Sequence, residues 1–460
     1  MKKKRNLFFV LRAPSGAYKI LFEAAKAHYE NFANKKLTFK INKNNNIDFI
    51  AIIYLIKIII ETSFFSKKKI SSIMYKGYNL SRYTIPEIYK NYRTYLSFFS
   101  FFYQCSKCFY INLVMLRSII NIKKKNIKAA FIDHGMYKNG LALNVLSKKN
   151  IPIYTIGYPK GLIFFINKKK KLLDYENIIQ IKNKKNLNSL QINKAKVSIK
   201  KTLNKTQLIP WMRAIKFVKE KNKYHDITHL IYAHSFTDGQ MLYGYDGFLN
   251  VYDWIEFTIE QLLENKNNKL LIKAHPGFFH TKFPTKQMIY DRKLFFKLIQ
   301  KYENNSNIKF IKSPIKNFDL LSKMNRKTIL ISHHGSAILE GLFLKFKCIA
   351  SQATLWSPKF SVTNSWNTKS TYKDFLRKNW ENLQACKKKD LYIICYQLFC
   401  NPSSLYGKYF WQQIVADELR IPRHKIYEKS SKIFNNLRVE KKKIERMIKK
   451  ISKNIEFVAT

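Results

Sequence analysis

Apolar residues fall along the chain in short continuous runs that end in glycine or polar turns, separated by longer stretches of helical period. Residues 7–11 form the first such run and predict a buried strand. An Ala-rich helix is expected over 18–32. Residues 47–65 and 95–120 are strongly apolar. The first carries Asp48, Lys57 and Glu61, and the second is interrupted by Lys107 and Arg117. Neither supplies the ~20 uninterrupted apolar residues of a spanning helix, so buried or interfacial helices are expected. From there the pattern alternates. A run at 128–132 ends in Asp133-His134-Gly135, 140–147 reads as a helix, and 151–156 is a second β-rich run ending at Gly157.

The second half repeats the rhythm more cleanly. Strands are expected at 229–233, 269–273, 308–311, 328–332 and 347–350. Val251, Trp254, Ile255, Thr258 and Leu262 share one helix face. Further helices are expected at 287–302 and 337–344, with helical structure from 370 to the end and a Lys-rich helix over 439–453. Between the halves, 168–205 is rich in Lys and Asn and reads as a basic linker. The expected fold class is α/β: two consecutive doubly wound, Rossmann-like domains with extra N-terminal and C-terminal helices. The expected boundaries are 1–205, 206–400 and a helical basic tail at 401–460.

Composition narrows the partner. The 460 residues hold 85 Lys+Arg against 29 Asp+Glu, a formal net charge of +56. Hydrophobic content of 46%, with 15% aromatics, excludes a disordered basic tail protein. The charge implies an anionic partner over a lysine-rich background. No zinc pattern, helix-turn-helix or RNP signature is present, so nucleic acid is not expected. Cys105 and Cys108 form a CxxC in an apolar run without a second pair, and read as buried thiols. The basic start of the chain reads as leading into a strand rather than as a secretory signal.

In doubly wound sheets, ligands bind outside the carboxyl ends of the strands. Three groups stand at such ends: Asp133-His134-Gly135, Lys273-Ala274-His275-Pro276-Gly277 and His333-His334-Gly335-Ser336. Gly335 permits close backbone approach, and Ser336 suits the cap of the following helix, whose amides favour a phosphate. Glu340, one turn further on, is placed to accept from ribose hydroxyls. His275 is suited to donate to a phosphate oxygen, with Pro276 setting its direction and Lys273 nearby. Asp238, beside Gly239, is an exposed candidate base, although Asp-Gly is also ordinary turn chemistry.

Together, His234 through Asp238, Tyr252-Asp253-Trp254, Lys273-Ala274-His275-Pro276 and His333-His334-Gly335-Ser336 through Glu340-Gly341 resemble bacterial capsule and surface-polysaccharide glycosyltransferases of GT-B type. The resemblance is loose over 128–160 and closer over 228–352. The His-Pro motif is also similar to that of sialyltransferases and Kdo transferases. Their acidic pair before Gly is not matched, since Asp238-Gly239 and Asp246-Gly247 each supply one acid.

The resemblance implies two Rossmann-like domains facing a cleft, with a nucleotide-sugar donor on the second and a glycan or lipid-linked acceptor on the first. It implies that Lys273, His275, His334, Gly335, Ser336 and Glu340 bind the donor. His275, Asp133 and Asp238 are the catalytic candidates, the last two as alternatives for the acid/base group. No metal and no cofactor besides the substrate nucleotide sugar are expected. The lysine surplus and the apolar helices suit an anionic membrane, so the expected location is cytoplasmic, peripheral on the inner face of the cytoplasmic membrane. A basic nucleic-acid-binding protein and a non-catalytic polysaccharide-assembly protein with a GT-B core are the competing readings.

Overall fold

The computed structural model describes residues 6–11, 37–41, 47–122, 127–132, 137–151, 153–157, 162–166, 186–203, 215–237, 241, 244–279, 285–335, 337–354 and 362–396. The expected helices at 18–32 and 439–453 and the 401–460 tail lie outside them. The chain forms two units. One comprises Met1–Ile88, Phe98–Ile179 and Pro402–Thr460; the other comprises Tyr89–Ser97 and Gln180–Asn401.

The first unit contains β1 (Asn6–Val10), β2 (Leu37–Ile41), α1 (Phe49–Glu61), a small hairpin of β3 (Met74–Tyr75) and β4 (Tyr78–Asn79), α2 (Ser81–Tyr89), α3 (Phe98–Ile120), β5 (Ala129–Ile132), α4 (Tyr137–Lys148), β6 (Ile153–Gly157) and β7 (Leu162–Ile166). The main sheet runs β2-β1-β5-β6-β7. Its first four strands are parallel, and β7 pairs antiparallel at the edge. This is the flavodoxin-like doubly wound order with a reversed edge strand. Polar anchors tie its helices together. Asp48 accepts from the Ala51 amide to cap α1, and its Oδ2 meets Arg117 Nε of α3 at 2.6 Å. Partial burial opposes the charge on Asp48, but the Arg117 and Ala51 bonds prevail and hold its carboxyl below the usual range. Buried Asn112 of α3 donates to Thr84 Oγ1 and Glu87 Oε2 of α2.

The second unit contains α5 (Ser189–Leu203), β8 (His229–Tyr232), α6 (Val251–Leu263), β9 (Leu270–Lys273), α7 (Lys286–Tyr302), β10 (Ile308–Ile311), α8 (Asn317–Leu321), β11 (Ile329–Ser332), α9 (Ala337–Phe343), β12 (Cys348–Ser351), β13 (Asn364–Trp366), α10 (Lys369–Leu376) and α11 (Lys388–Cys395). Its sheet runs β10-β9-β8-β11-β12-β13, and every pairing is parallel. Numbered within the unit this is 3-2-1-4-5-6, the Rossmann order. β8, β9, β11 and β12 are buried at every position, because helices cover both faces. On one face the expected α6 residues Val251, Trp254, Ile255, Thr258 and Leu262 are all buried, and Trp254 stacks on Trp366 at 6.2 Å. On the other face α9 lies so close to β11 that a Cβ at Gly341 would run into Leu330 Cδ1.

One sequence expectation is corrected here. Residues 189–203 are a helix and not part of a basic linker. Ala195 and Ile199 of α5 are buried among its lysines and join a core with Leu391 and Ile394 of α11. The chain therefore enters the second unit near 180 rather than 206. The Tyr89–Ser97 segment also belongs there. Tyr95 Oη donates to the Phe236 carbonyl at 2.7 Å, Lys297 Nζ donates to the Tyr95 carbonyl, and Tyr92 stacks on Tyr290 of α7.

Candidate functional site

The strand order of the second unit reverses between β8 and β11, the place where doubly wound sheets open a crevice. Each neighbouring strand there delivers histidine from its carboxyl end. β8 leads to His234, β9 to His275, and β11 to His333 and His334. The rings gather although they are far apart in sequence. His234 lies 4.0 Å from His334 and 5.6 Å from His275, centroid to centroid. His333 Nδ1 and His334 Nδ1 are 2.6 Å apart.

Buried acids hold this cluster from two sides. Asp291 of α7 accepts from Ser235 Oγ at 2.6 Å and from both the amide and the hydroxyl of Thr237 at 2.8 Å. This fixes the loop that carries His234. Asp246 Oδ2 lies 2.9 Å from His333 Nε2, and also accepts from Ser351 Oγ at the end of β12. Burial pushes the Asp246 carboxyl up, but His333, Ser351 and the Phe248 amide outweigh it and hold it below the ordinary value. Gly247, at φ +104, lets this loop approach the start of α10, where a Cβ would stand 2.7 Å from the Lys369 nitrogen.

These contacts orient the imidazoles. His275 Nδ1 accepts from the Gly277 amide at 3.1 Å, so its neutral ring carries the proton on Nε2. An ionised Asp246 keeps a proton on His333 Nε2. The Nδ1 atoms of His333 and His334 share one hydrogen bond, whose donor depends on the tautomers of the two rings. Burial, followed by His234 and Lys273, drives the His275 pKa well below its usual value. His334 is driven down likewise by burial and then by His234, His333 and His275.

Lys273 is buried at the end of β9, level with Tyr232 in the sheet register. The Gly335 amide donates to Ser332 Oγ at 3.2 Å, and a Cβ there would meet that oxygen at 3.0 Å and His234 Cδ2 at 3.8 Å. Glu340 is buried in α9, where its Oε2 accepts from Asn317 Nδ2 at 2.9 Å. Asp133, Asp238 and Ser336 lie outside the described residues. His234, His333, Asp246 and Asp291 are neighbours of the site that residue-type reasoning did not select. His333 directly follows β11 within a strand-end group already noted, and His234 is the second residue after β8. Asp246 and Asp291 had no signal beyond a turn dipeptide and a helix position. Among the described residues, no group of three or more His, Cys, Asp or Glu is arranged to hold a metal ion.

No protein-family profile matches the chain, and no curated protein matches it. Solved structures similar to it include Thermosulfurimonas dismutans KpsC, a beta Kdo 2,4 transferase, at 14% identity over 58% of this chain and 79% of that chain, with a TM-score of 0.34. The UDP-GlcNAc 2-epimerase of Methanocaldococcus jannaschii, in complex with UDP-GlcNAc and UDP, is similar at 14% identity over 85% and 98% of the two chains, with a TM-score of 0.27. S. aureus MnaA in complex with UDP is similar at 10% identity over 90% and 96%, with a TM-score of 0.24.

Proposed function

We propose that the chain is a nucleotide-sugar-dependent glycosyltransferase of surface-polysaccharide synthesis, with its donor phosphates at the histidine-lined edge of the second sheet. The observation that carries this reading is the convergence of His234, His275 and His334 from three separate strand ends at the switch point of a Rossmann-ordered sheet. Half-buried imidazoles crowded against one another are costly to charge when the site is empty. A diphosphate arriving beside them favours the protonated form. In this reading donor binding draws in a proton, and the resulting imidazolium stabilises the phosphate that leaves as the glycosidic bond to the acceptor forms.

Within the reading, His275 donates Nε2–H to a donor phosphate oxygen. His334, hydrogen-bonded to the Asp246–His333 pair, is a candidate proton acceptor for the attacking hydroxyl, alongside Asp133 and Asp238. Gly335 keeps the backbone next to His234 open to a ligand. The acceptor is a glycan or a lipid-carried sugar, and the working location is the cytoplasmic face of the membrane. No described helix is long and apolar enough to cross a membrane.

The test is a thermal-shift screen of CMP-, UDP- and GDP-sugars, followed by calorimetry of any hit at several pH values. At least one nucleotide sugar raises the melting temperature, and its affinity strengthens as pH falls from about 8 to about 6, because binding takes up a proton. The absence of any donor response, or a pH-independent affinity with no proton uptake, defeats the proposal.

A further inference from the structure

The first unit exposes an apolar surface that its own core does not use. On α1, Phe49, Ile53, Ile56 and Ile60 recur at intervals of four, three and four residues and form one stripe, and all are exposed. The opposite side of the helix buries Ala51 and Ile58. Beyond the helix the stripe continues to Phe64, 60% exposed, through a backbone of unusual conformation. Ser63, Phe64 and Phe65 all have positive φ, at 51°, 59° and 63°. L-residues adopt this conformation singly and reluctantly.

Here it is imposed from both ends. Thr62 Oγ1 accepts from the Phe65 amide, and the Phe65 ring is buried against Phe102 and stacked on Phe109 at 5.7 Å. The strained turn thereby presents Phe64 to solvent instead of letting it fold back. Phe64 also neighbours Phe102, which in turn neighbours Phe98, and Phe98 neighbours Phe99, 82% exposed. One apolar strip therefore runs from α1 across the turn to the start of α3.

Ammonium groups border this strip. Lys57 stands on α1 beside it, with its Nζ 5.7 Å from the Tyr54 ring. Lys67, Lys68 and Lys69 are exposed directly after the strained turn, and Lys69 Nζ donates to Ser63 Oγ at 2.9 Å. Lys107 lies on α3 with its Nζ 5.9 Å from the Tyr103 ring. Glu61, paired with Lys57, is the acid among these residues. Isoleucine and phenylalanine in the middle, lysine at the border and a chain of net charge +56 match the depth profile of an anionic bilayer, with hydrocarbon inside and phosphate at the surface.

We infer that the Phe49–Ile53–Ile56–Ile60–Phe64 stripe, with Phe98 and Phe99, inserts into the outer part of an anionic bilayer leaflet, while Lys57, Lys67, Lys68 and Lys69 bind lipid phosphates. The inference does not rest on the sugar chemistry of the second unit. Vesicle binding and donor binding are separate measurements, and either is free to fail alone.

The experiment is co-sedimentation of the full chain with phosphatidylcholine vesicles, with and without phosphatidylglycerol. The wild-type chain partitions strongly to the anionic vesicles and weakly to the neutral ones. Joint replacement Ile53→Gln, Ile56→Gln and Ile60→Gln lowers partitioning by at least ~100-fold, since one buried isoleucine is worth on the order of tenfold. Joint Lys67→Gln, Lys68→Gln and Lys69→Gln lowers it on the order of 100-fold on anionic vesicles only.

Should the isoleucine variant not fold, Phe64→Asn serves instead. Asparagine accepts positive φ, so this variant keeps its melting temperature while losing partitioning. Equal partitioning to neutral and anionic vesicles overturns the inference. So does wild-type partitioning in the Ile or Phe64 variants. A wild-type dimer in solution that becomes monomeric in the isoleucine variant also overturns it, in favour of a second copy of the chain as the occupant.

Discussion

The histidine edge of the second unit and the isoleucine face of the first invert the usual distribution in opposite ways. At the sheet edge, His333 and two carboxylates are buried and three more imidazoles half-buried; on α1, isoleucines stand in water. The second unit compensates much of its inversion internally, because Asp246, Asp291, Ser351 and Gly277 meet several of the polar atoms there. The first unit does not compensate its own, since the α1 stripe gains nothing from the fold that carries it. A polar cluster held by buried carboxylates is ordered and ready for a ligand, whereas an apolar face left uncovered calls for a partner.

The strongest way to break the contrast is at the cluster. His275→Ala is expected to reduce transferase turnover by about 10²–10⁴-fold without unfolding the chain, read by product formation and melting temperature together. Full turnover in that variant removes His275 from the site. Next, Asp246→Ala strips His333 and Ser351 of their buried acceptor and is expected to destabilise the second unit by on the order of 3 kcal/mol in urea unfolding. A loss below about 0.5 kcal/mol would show the cluster to be loosely tied, and the contrast with α1 would lapse. Gly341→Ala pushes a methyl into Leu330 and is expected to cost about 1–3 kcal/mol by overpacking.

A smaller effect concerns pH. His275 and His334 are driven down by burial and then by neighbouring imidazoles and Lys273, and burial alone takes His229 to about 4. The unfolded chain protonates these rings near ~6.5 while the folded chain resists, so the unfolded state binds more protons in that window. Stability therefore rises with pH there and falls as pH drops below about 7, by up to about 1.4 kcal/mol per unit for each ring. Chemical denaturation at pH 7 and pH 5 checks this, and His275→Ala should flatten the dependence. The smallest effect sharpens the other side of the comparison. Ile53→Gln on the exposed stripe is expected to shift stability by less than about 0.5 kcal/mol in a lipid-free melt.

The fold of the second unit was largely legible because its central strands are buried on both faces and therefore read as continuous apolar runs. The expected run at 308–311 coincides with β10, and the others fall within two residues of their strands. β13 escaped notice because Asn364-Ser365-Trp366 is short and mostly polar, and it becomes a strand only by pairing with β12. The α5 helix was hidden by its lysines, which occupy the solvent side of an Ala195–Ile199 stripe. Strand-end position named His275 and His334 in the sequence, and both rings neighbour His234 in the structure. The partnership of Asp246 with His333 was not legible, because 87 residues of chain separate them and only the sheet brings the two loops together.

The short Tyr89–Ser97 segment has an evolutionary and practical consequence. It is donated to the second unit from the middle of the first, and Tyr95 holds the Phe236 carbonyl within the loop that follows His234. A gene fragment starting near residue 180 would encode the histidines but omit one of their supports. Recombination at that border would separate them in the same way. The second unit is thus not a transferable module. Swapping it between proteins requires moving a nine-residue piece from elsewhere in the gene as well, which favours inheritance of the two halves together.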